Sequence, residues 1–255
     1  MSDTAIVEIA GRDSIAAALQ AVRLRSFSEL IPTVAYVGTE IGDREAPLHA
    51  IDVLQQSLGA ECHVLEPVVL SDPPLWSALN TRFAAGVRSL LGLWSPCLAC
   101  HLYLHLLRVP ISWQAGNTPI IAGERDSHDG RVKLSQLPQG IDATGRVLAH
   151  AGIELMQPLR SWTGAEVAAL VGNRWQEGHG QLGCLLSGNY TQLDGSVLYD
   201  ETAYAAYALH FLEPVGRAVV DAWRKNHEDN DSDQPDYVAI VRAVLESTVT
   251  TELRA

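Results

Sequence analysis

The feature that most constrains the fold of this 255-residue chain is an alternation of short apolar runs with helix-forming segments. Ala5 to Ala10 (AIVEIA) is apolar and stops at Gly11, and Ser14 to Arg25 (SIAAALQAVRLR) follows with good helix formers. That spacing predicts a strand, a tight turn and a helix. A second strand is expected at Thr33 to Val37 and a third at Cys62 to Leu65, with a helix from Leu48 to Leu58 between them. Strands that alternate with helices form parallel sheets. The Leu- and Ala-rich stretch from Leu75 to Trp113 predicts two helices broken near Ser95-Pro96. A fourth strand (Thr118 to Ala122) opens into a polar loop, Gly123 to Gln136, and a helix at Asp142 to Ala151, a strand at Ile153 to Met156 and a helix at Thr163 to Val171 continue the pattern.

The expectation is therefore an α/β domain over residues 1–172 with about five parallel strands. Residues 173–255 form an extension packed on it: a glycine-rich stretch, a helix near Ala203 to Trp223, a solvated acidic link from Lys225 to Asp236 and a last helix. Those C-terminal helices offer a face for a homodimer. No apolar run approaches the roughly 20 residues that cross a bilayer. The N-terminus has no basic stretch followed by an apolar run, so the cytoplasm is the expected location. Lys and Arg total 18 against 30 acidic residues, a net charge of -12. This disfavours a nucleic acid partner, which needs a basic face to neutralise phosphates.

Ala10-Gly11-Arg12-Asp13-Ser14 falls where a parallel sheet binds phosphate, at the carboxyl end of the first strand and the start of a helix. Gly11 lets an anion approach the backbone, Ser14 offers a hydroxyl, and Asp13 can hold magnesium or orient the loop. The plainer alternative is that Asp13 or Ser14 caps the helix, an effect of about 1 kcal/mol. After the fourth strand, Arg125, Arg131 and Lys133 can bind phosphate while Asp126 or Asp129 holds a magnesium ion; a solvated turn is the alternative. His101 and His105 are four apart on one helical face, with Arg108 on the same side, and suit metal ligation, acid–base work or packing.

The chain has four cysteines. Cys97 and Cys100 have the close spacing that in a reducing compartment points to a metal, a cluster or redox chemistry. Lying at a helix start, they are expected to have lowered thiol pKa values. Cys184 stands in a distant glycine-rich loop followed by Ser187-Gly188-Asn189-Tyr190, a pocket wall or a turn, and Cys62 reads as packing. A zinc ion on the three cysteines with His101 or His105 as fourth ligand, a persulfide resolved as a disulfide, and buried inert thiols all remain open.

Ile9 to Ser14 (IAGRDS) resembles the PP-loop superfamily, the adenine nucleotide alpha hydrolases, whose pattern after the first strand is Ser-Gly-Gly-x-Asp-Ser. It keeps Gly11, Asp13 and Ser14. Ile9 and Ala10 replace the first Ser and Gly, which removes one hydroxyl contact to pyrophosphate that Arg12 can partly replace. Gly38-Thr39-Glu40, Gly123 to Asp129 and Pro158-Leu159 follow later strands in the order of the superfamily, over residues 5 to 170. The three-cysteine arrangement resembles the iron-sulfur branch of tRNA 2-thiouridine synthetases.

The resemblance implies a HUP-like α/β fold, with ATP and Mg2+ at Ala10 to Ser14, Gly38, Thr39, Gly123, Arg125, Asp129 and Arg131. It implies a [4Fe-4S] cluster on Cys97, Cys100 and Cys184, with zinc as alternative. The expected activity is ATP-dependent sulfur transfer through an adenylylated carbonyl, with Asp13, Lys133 and the three cysteines as catalytic groups. A small nucleobase-type substrate and a sulfur donor are the expected partners. Transfer RNA thiolation, ATP-dependent nitrogen insertion and a non-catalytic nucleotide sensor are the alternatives.

Overall fold

The computed structural model describes residues 3–126, 128–176, 180–229 and 234–252. The chain begins with β1 (Thr4–Glu8), α1 (Arg12–Arg25), β2 (Glu29–Ala35), β3 (Glu40–Ile41), α2 (Ala46–Leu58), β4 (His63–Val64) and β5 (Val68–Leu70). Four helices follow, α3 (Pro73–Asn80), α4 (Ala84–Leu91), α5 (Pro96–Leu106) and α6 (Val109–Gln114), leading to β6 (Ile120–Ile121). Then come α7 (Pro138–His150), β7 (Leu155–Met156), α8 (Gly164–Val171), β8 (Gly183–Cys184), α9 (Glu201–Tyr207), α10 (Glu213–Asp229) and α11 (Tyr237–Glu252). A π-helical turn, Ala208–Leu212, joins α9 to α10.

The main sheet is parallel throughout, with β1 between β2 and β6 and with β7 outside β6. β4 and β5 share the far edge of β2: Glu29 and Leu30 face His63 and Val64, and Thr33 to Ala35 face Val68 to Leu70. The expected third strand is thus one edge position in two pieces, which gives five positions in all. Pro67 lies in the gap and has no amide hydrogen to give a ladder. Pro32 falls opposite the same gap, so β2 tolerates it and starts at Glu29, ahead of the expected Thr33.

The middle of the chain holds four helices where two were expected. Asp72 caps α3 through the Leu75 amide at 3.0 Å, and Gly92, with φ +72°, ends α4. Pro96 and Pro110 then stand in the first turns of α5 and α6. Composition alone reads as continuous helix there because Leu and Ala outnumber these breaks. Of the expected acidic link, residues 225–229 belong to α10, and residues 230–233 lie outside the described residues.

Successive β1 side chains point to opposite faces of the sheet. Ala5 and Val7 pack with Ile15, Ala16, Leu54 and Val167 of α1, α2 and α8. Ile6 packs on the other face with Leu102, Tyr103 and Val147, and Tyr204, Tyr207, Phe211, Val215 and Val219 complete that same cluster. The C-terminal extension therefore supplies a third of the buried residues on that face of the core. Among the described residues no helix is long and apolar enough to cross a membrane.

Candidate functional site: a cleft joining a cationic loop to three cysteines

Strand order reverses between β1 and β6, and parallel sheets open a ligand crevice beyond the carboxyl ends of their strands at such a point. A cavity of about 450 Å³ lies there, lined by Ala10, Gly11, Arg12, Asp13 and Ser14 from the first turn and by Gly123, Glu124, Arg125, Arg131 and Lys133 from the loop after β6. Both halves of the expected phosphate site meet.

The Ser14 hydroxyl accepts the amides of Ala10 at 3.0 Å and Gly11 at 3.1 Å, and donates to the Gly11 carbonyl at 2.7 Å. It closes the turn on itself, so Ser14 shapes the loop through its side chain. Gly123 is required by packing: a Cβ there would stand 2.6 Å from the Asp13 carbonyl carbon and 2.7 Å from the Ser14 nitrogen. Arg125 donates from Nε to Asp13 Oδ2 at 2.9 Å and from Nη1 to the Trp162 carbonyl at 3.1 Å, and is almost fully buried. Arg12 lies beside the other Asp13 oxygen at 3.5 Å. Burial lowers the Lys133 pKa, and Arg125, Arg12 and Arg131 push it further down against Asp13. In a chain of net charge -12, this corner gathers Arg12, Arg125, Arg131 and Lys133 beside the carboxylates of Glu8, Asp13 and Glu124, a cationic cluster of the kind that can bind a polyanion.

A second cavity of about 560 Å³ shares Glu8, Ala10, His101, Leu104, Lys133, Gln136 and Gln181 with the first, so the two form one cleft. Its walls include the apolar side chains of Val34, Val37 and Pro47 on one side and Cys97, Cys100 and Cys184 on the other. Cys97 and Cys100 come from the first turns of α5. Cys184 arrives on β8, which pairs antiparallel with β3 so that Glu40 faces Cys184. Thr39 Oγ1 is 3.3 Å from the Cys184 sulfur, and Asn189 Nδ2 donates to the Cys97 sulfur at 3.0 Å.

The helix start does not lower these thiols. Burial raises the Cys97 pKa against the hydrogen bonds of Asn189 and Ser95, and takes Cys100 to about 12. Cys62 is buried in the other core cluster, where burial raises it to about 11, as befits a packing residue.

Glu124 is buried at the end of β6. Its Oε1 meets His105 Nε2 in a short hydrogen bond and lies 3.7 Å from His101 Nδ1, while Gln157 donates to Oε2 at 3.1 Å. Burial disfavours this carboxylate, but His105 and His101 overcome it and hold its pKa well below the usual range. Burial likewise opposes the His105 charge, and Glu124 more than restores it, so that pKa is raised. Beside them Arg108, wholly buried, donates to Thr33 Oγ1 at 2.8 Å and faces Glu8 at 3.9 Å. His101, His105 and Glu124 are, among the described residues, the one group of three such ligands lying within 4.8 Å of one another. The three sulfurs are not so close, whereas a tetrahedral zinc needs them about 3.8 Å apart. The two histidines turn to Glu124 and away from the expected cysteine–zinc set.

Other expected residues fall elsewhere. Gly38 and Thr39 do not line the cleft, whereas Val37 and Glu40 do. Glu40 accepts the amides of Val37 and Gly38, and the Thr39 carbonyl accepts the Leu185 amide at 2.9 Å, so this turn holds the Cys184 strand in place. Asp126 is engaged by Arg160 at 2.9 Å and Asp129 by the Gly164 amide at 3.1 Å, so both tie the loop to the segment after β7. Pro158 and Leu159 lie in that segment, with Leu159 buried. Ser187, Gly188 and Tyr190 line the cysteine side, but Ser127 lies outside the described residues. Glu8, Glu124, Gln136 and Gln181 are cleft residues that sequence reading passed over. Glu8 had a signal, as the one charge inside AIVEIA.

No family model matches the chain. An uncharacterized protein of Methanocaldococcus jannaschii is 28% identical over 249 residues, 96% of this chain and 87% of that protein. Among solved structures, a 4-thiouridine synthetase in complex with RNA and bound ATP matches with a TM-score of 0.51 and 14% identity, over 97% of this chain and 53% of that one. This chain thus spans about half the length of that synthetase, and its parallel sheet flanked by helices is of the same HUP-like α/β fold.

Proposed function

We propose that this protein is an ATP pyrophosphatase-type sulfurtransferase of the PP-loop kind, one that adenylylates a carbonyl oxygen of a small nucleobase-like molecule and replaces that oxygen with sulfur. The observation that carries the reading is the continuity of the cleft: four cations line one half of it, and three cysteines with the apolar side chains of Val34, Val37 and Pro47 line the other. The synthetase of similar fold, solved with ATP bound, supports it.

In this reading the triphosphate lies on Ala10 to Ser14 with Arg12, Arg125, Arg131 and Lys133 around it, and Val34, Val37 and Pro47 receive the adenine. The substrate carbonyl oxygen attacks the α-phosphorus and the bond to pyrophosphate breaks. Charge then builds on the leaving oxygens, where Lys133 and Arg125 stabilise it in a partly buried site. Sulfide delivered by a donor adds to the activated carbon, the carbon–oxygen bond breaks, and AMP leaves with that oxygen.

Asp13 would hold Mg2+ beside the pyrophosphate, on releasing Arg125. Cys97, Cys100 and Cys184 line one cavity, with Thr39 and Asn189 beside two of the sulfurs, and would be the residues that hold a [4Fe-4S] cluster. The cluster would supply an iron with an open position for sulfide. The net charge of -12 favours a free small molecule over tRNA.

The test is anaerobic purification followed by turnover with ATP, sulfide and a panel of nucleobases, nucleosides and tRNA. We expect about four irons and four sulfides per chain, lost on Cys97→Ala, Cys100→Ala or Cys184→Ala. Pyrophosphate release should fall at least about 100-fold in Asp13→Ala. Cys184→Ala should still adenylylate but make no thiolated product. ATP binding with no pyrophosphate from any substrate would leave a nucleotide sensor, and aminated product formed equally well by Cys184→Ala when ammonium replaces sulfide would point to nitrogen insertion.

A further inference from the structure

The geometry points to a divalent metal site on His101, His105 and Glu124, separate from the cysteines and opening on the nucleotide cleft. Three observations carry it. The first is the donor set, two imidazoles one helical turn apart on α5 and a carboxylate from the end of β6, with their ligand atoms within 4.8 Å of one another. Two histidines and a glutamate form a recurrent set for zinc that keeps a fourth position open.

The second is orientation. Gln157 donates to Glu124 Oε2 at 3.1 Å, which turns Oε1 towards both imidazoles. Outer contacts of this kind fix a carboxylate for ligation. The third is room: a small void of about 10 Å³ is lined by His101, His105, Glu124, Ser135, Thr144 and Gln157. That volume holds about one water or one bare ion. To seat zinc at bonds of about 2.0 Å the ligand atoms must stand about 3.3 Å apart. The His101–Glu124 approach of 3.7 Å need close only slightly, and the shorter His105–Glu124 bond must open.

His101 lines the void and both halves of the cleft, and Glu124 lines the void and the phosphate side. The fourth position of the ion therefore faces the point where phosphate and cysteines meet. An oxygen ligand suits it, and a carbonyl or phosphate oxygen there would be polarised. This use rests on the proposed adenylylation; the metal site does not.

The two are separated by working with the full-length chain carrying Cys97→Ser, Cys100→Ser and Cys184→Ser, which cannot bind metal through those thiols. Titration with Co2+ and Zn2+ should give one equivalent bound, with the visible bands of low-coordinate Co2+ and no thiolate charge-transfer band. Binding should weaken at least 100-fold in His101→Ala, at the partly exposed ligand, and in the near-isosteric Glu124→Gln, each checked for an unchanged circular dichroism spectrum. Gln157→Leu should weaken it about 10-fold or more. Failure to bind either ion at micromolar concentrations, or binding that survives both ligand substitutions, would overturn the site.

Discussion

Gly123 and His128, both in the loop after β6, respond to substitution for different reasons. A methyl group at Gly123 meets backbone atoms of Asp13 and Ser14 at 2.6 to 2.8 Å, and backbone cannot swing away as a side chain can. Gly123→Ala is expected to destabilise the fold by about 1–3 kcal/mol and to weaken ATP binding, as read by urea unfolding and by nucleotide titration of the folded fraction. His128 is buried beside Lys133 and Arg125. Burial, then Lys133 and Arg125, lower its pKa from 6.5 to about 4 against the pull of Asp13. Between those values the unfolded chain takes up a proton that the native chain refuses, so stability falls as pH falls through the window. His105 and Glu124 do not offset this slope. The raised His105 pKa affects stability above 6.5, and the lowered Glu124 pKa affects it below 4.5. Urea midpoints should drop from about pH 6.5 to about pH 4.5, and His128→Gln should flatten that fall.

At the scale of elements, Asp72 fastens three helices at once. It caps α3, its Oδ2 accepts the Tyr237 hydroxyl of α11 at 2.9 Å, and its amide donates to the Tyr103 hydroxyl of α5 at 2.8 Å. Asp72→Ala should cost about 2–4 kcal/mol, the sum of a lost cap and a buried hydroxyl left with one partner fewer. Amide exchange should quicken in α11, which loses the Tyr237 hydrogen bond that ties it to Asp72 at the start of α3. Most of these elements were legible from periodicity and punctuation: strands at 5–10, 118–122 and 153–156, and the helices at 14–25 and 163–171, all correspond to observed elements. The errors have local causes. Pro32 hid the start of β2 because a proline normally argues against an inner strand. Gly92 and the prolines divided an apolar stretch whose composition alone reads as continuous helix.

At the scale of the whole molecule, the C-terminal helices are part of the core. Removing residues 173–255 would strip Tyr204, Tyr207, Phe211, Val215 and Val219 from the cluster under Ile6 and Leu102. Such a truncation should fail to give a cooperative unfolding transition and should aggregate, as read by circular dichroism and size exclusion. It would also remove Cys184, so the cleft and the core depend on the same extension. The alternation of strands and helices in the main sheet, the tight turn at Gly11 to Ser14 and the cationic loop after β6 were determined by the sequence alone, because they rest on local periodicity, turn chemistry and the topology that follows from alternation. The partners of side chains far apart in sequence were decided only by tertiary structure. Arg125 meets Asp13, Glu124 draws in His101 and His105, Thr39 meets Cys184, and burial raises thiols that a helix start would lower. Each of these depends on which groups distant in sequence the fold brings together and how far it shields them from water, and no local pattern carries that information.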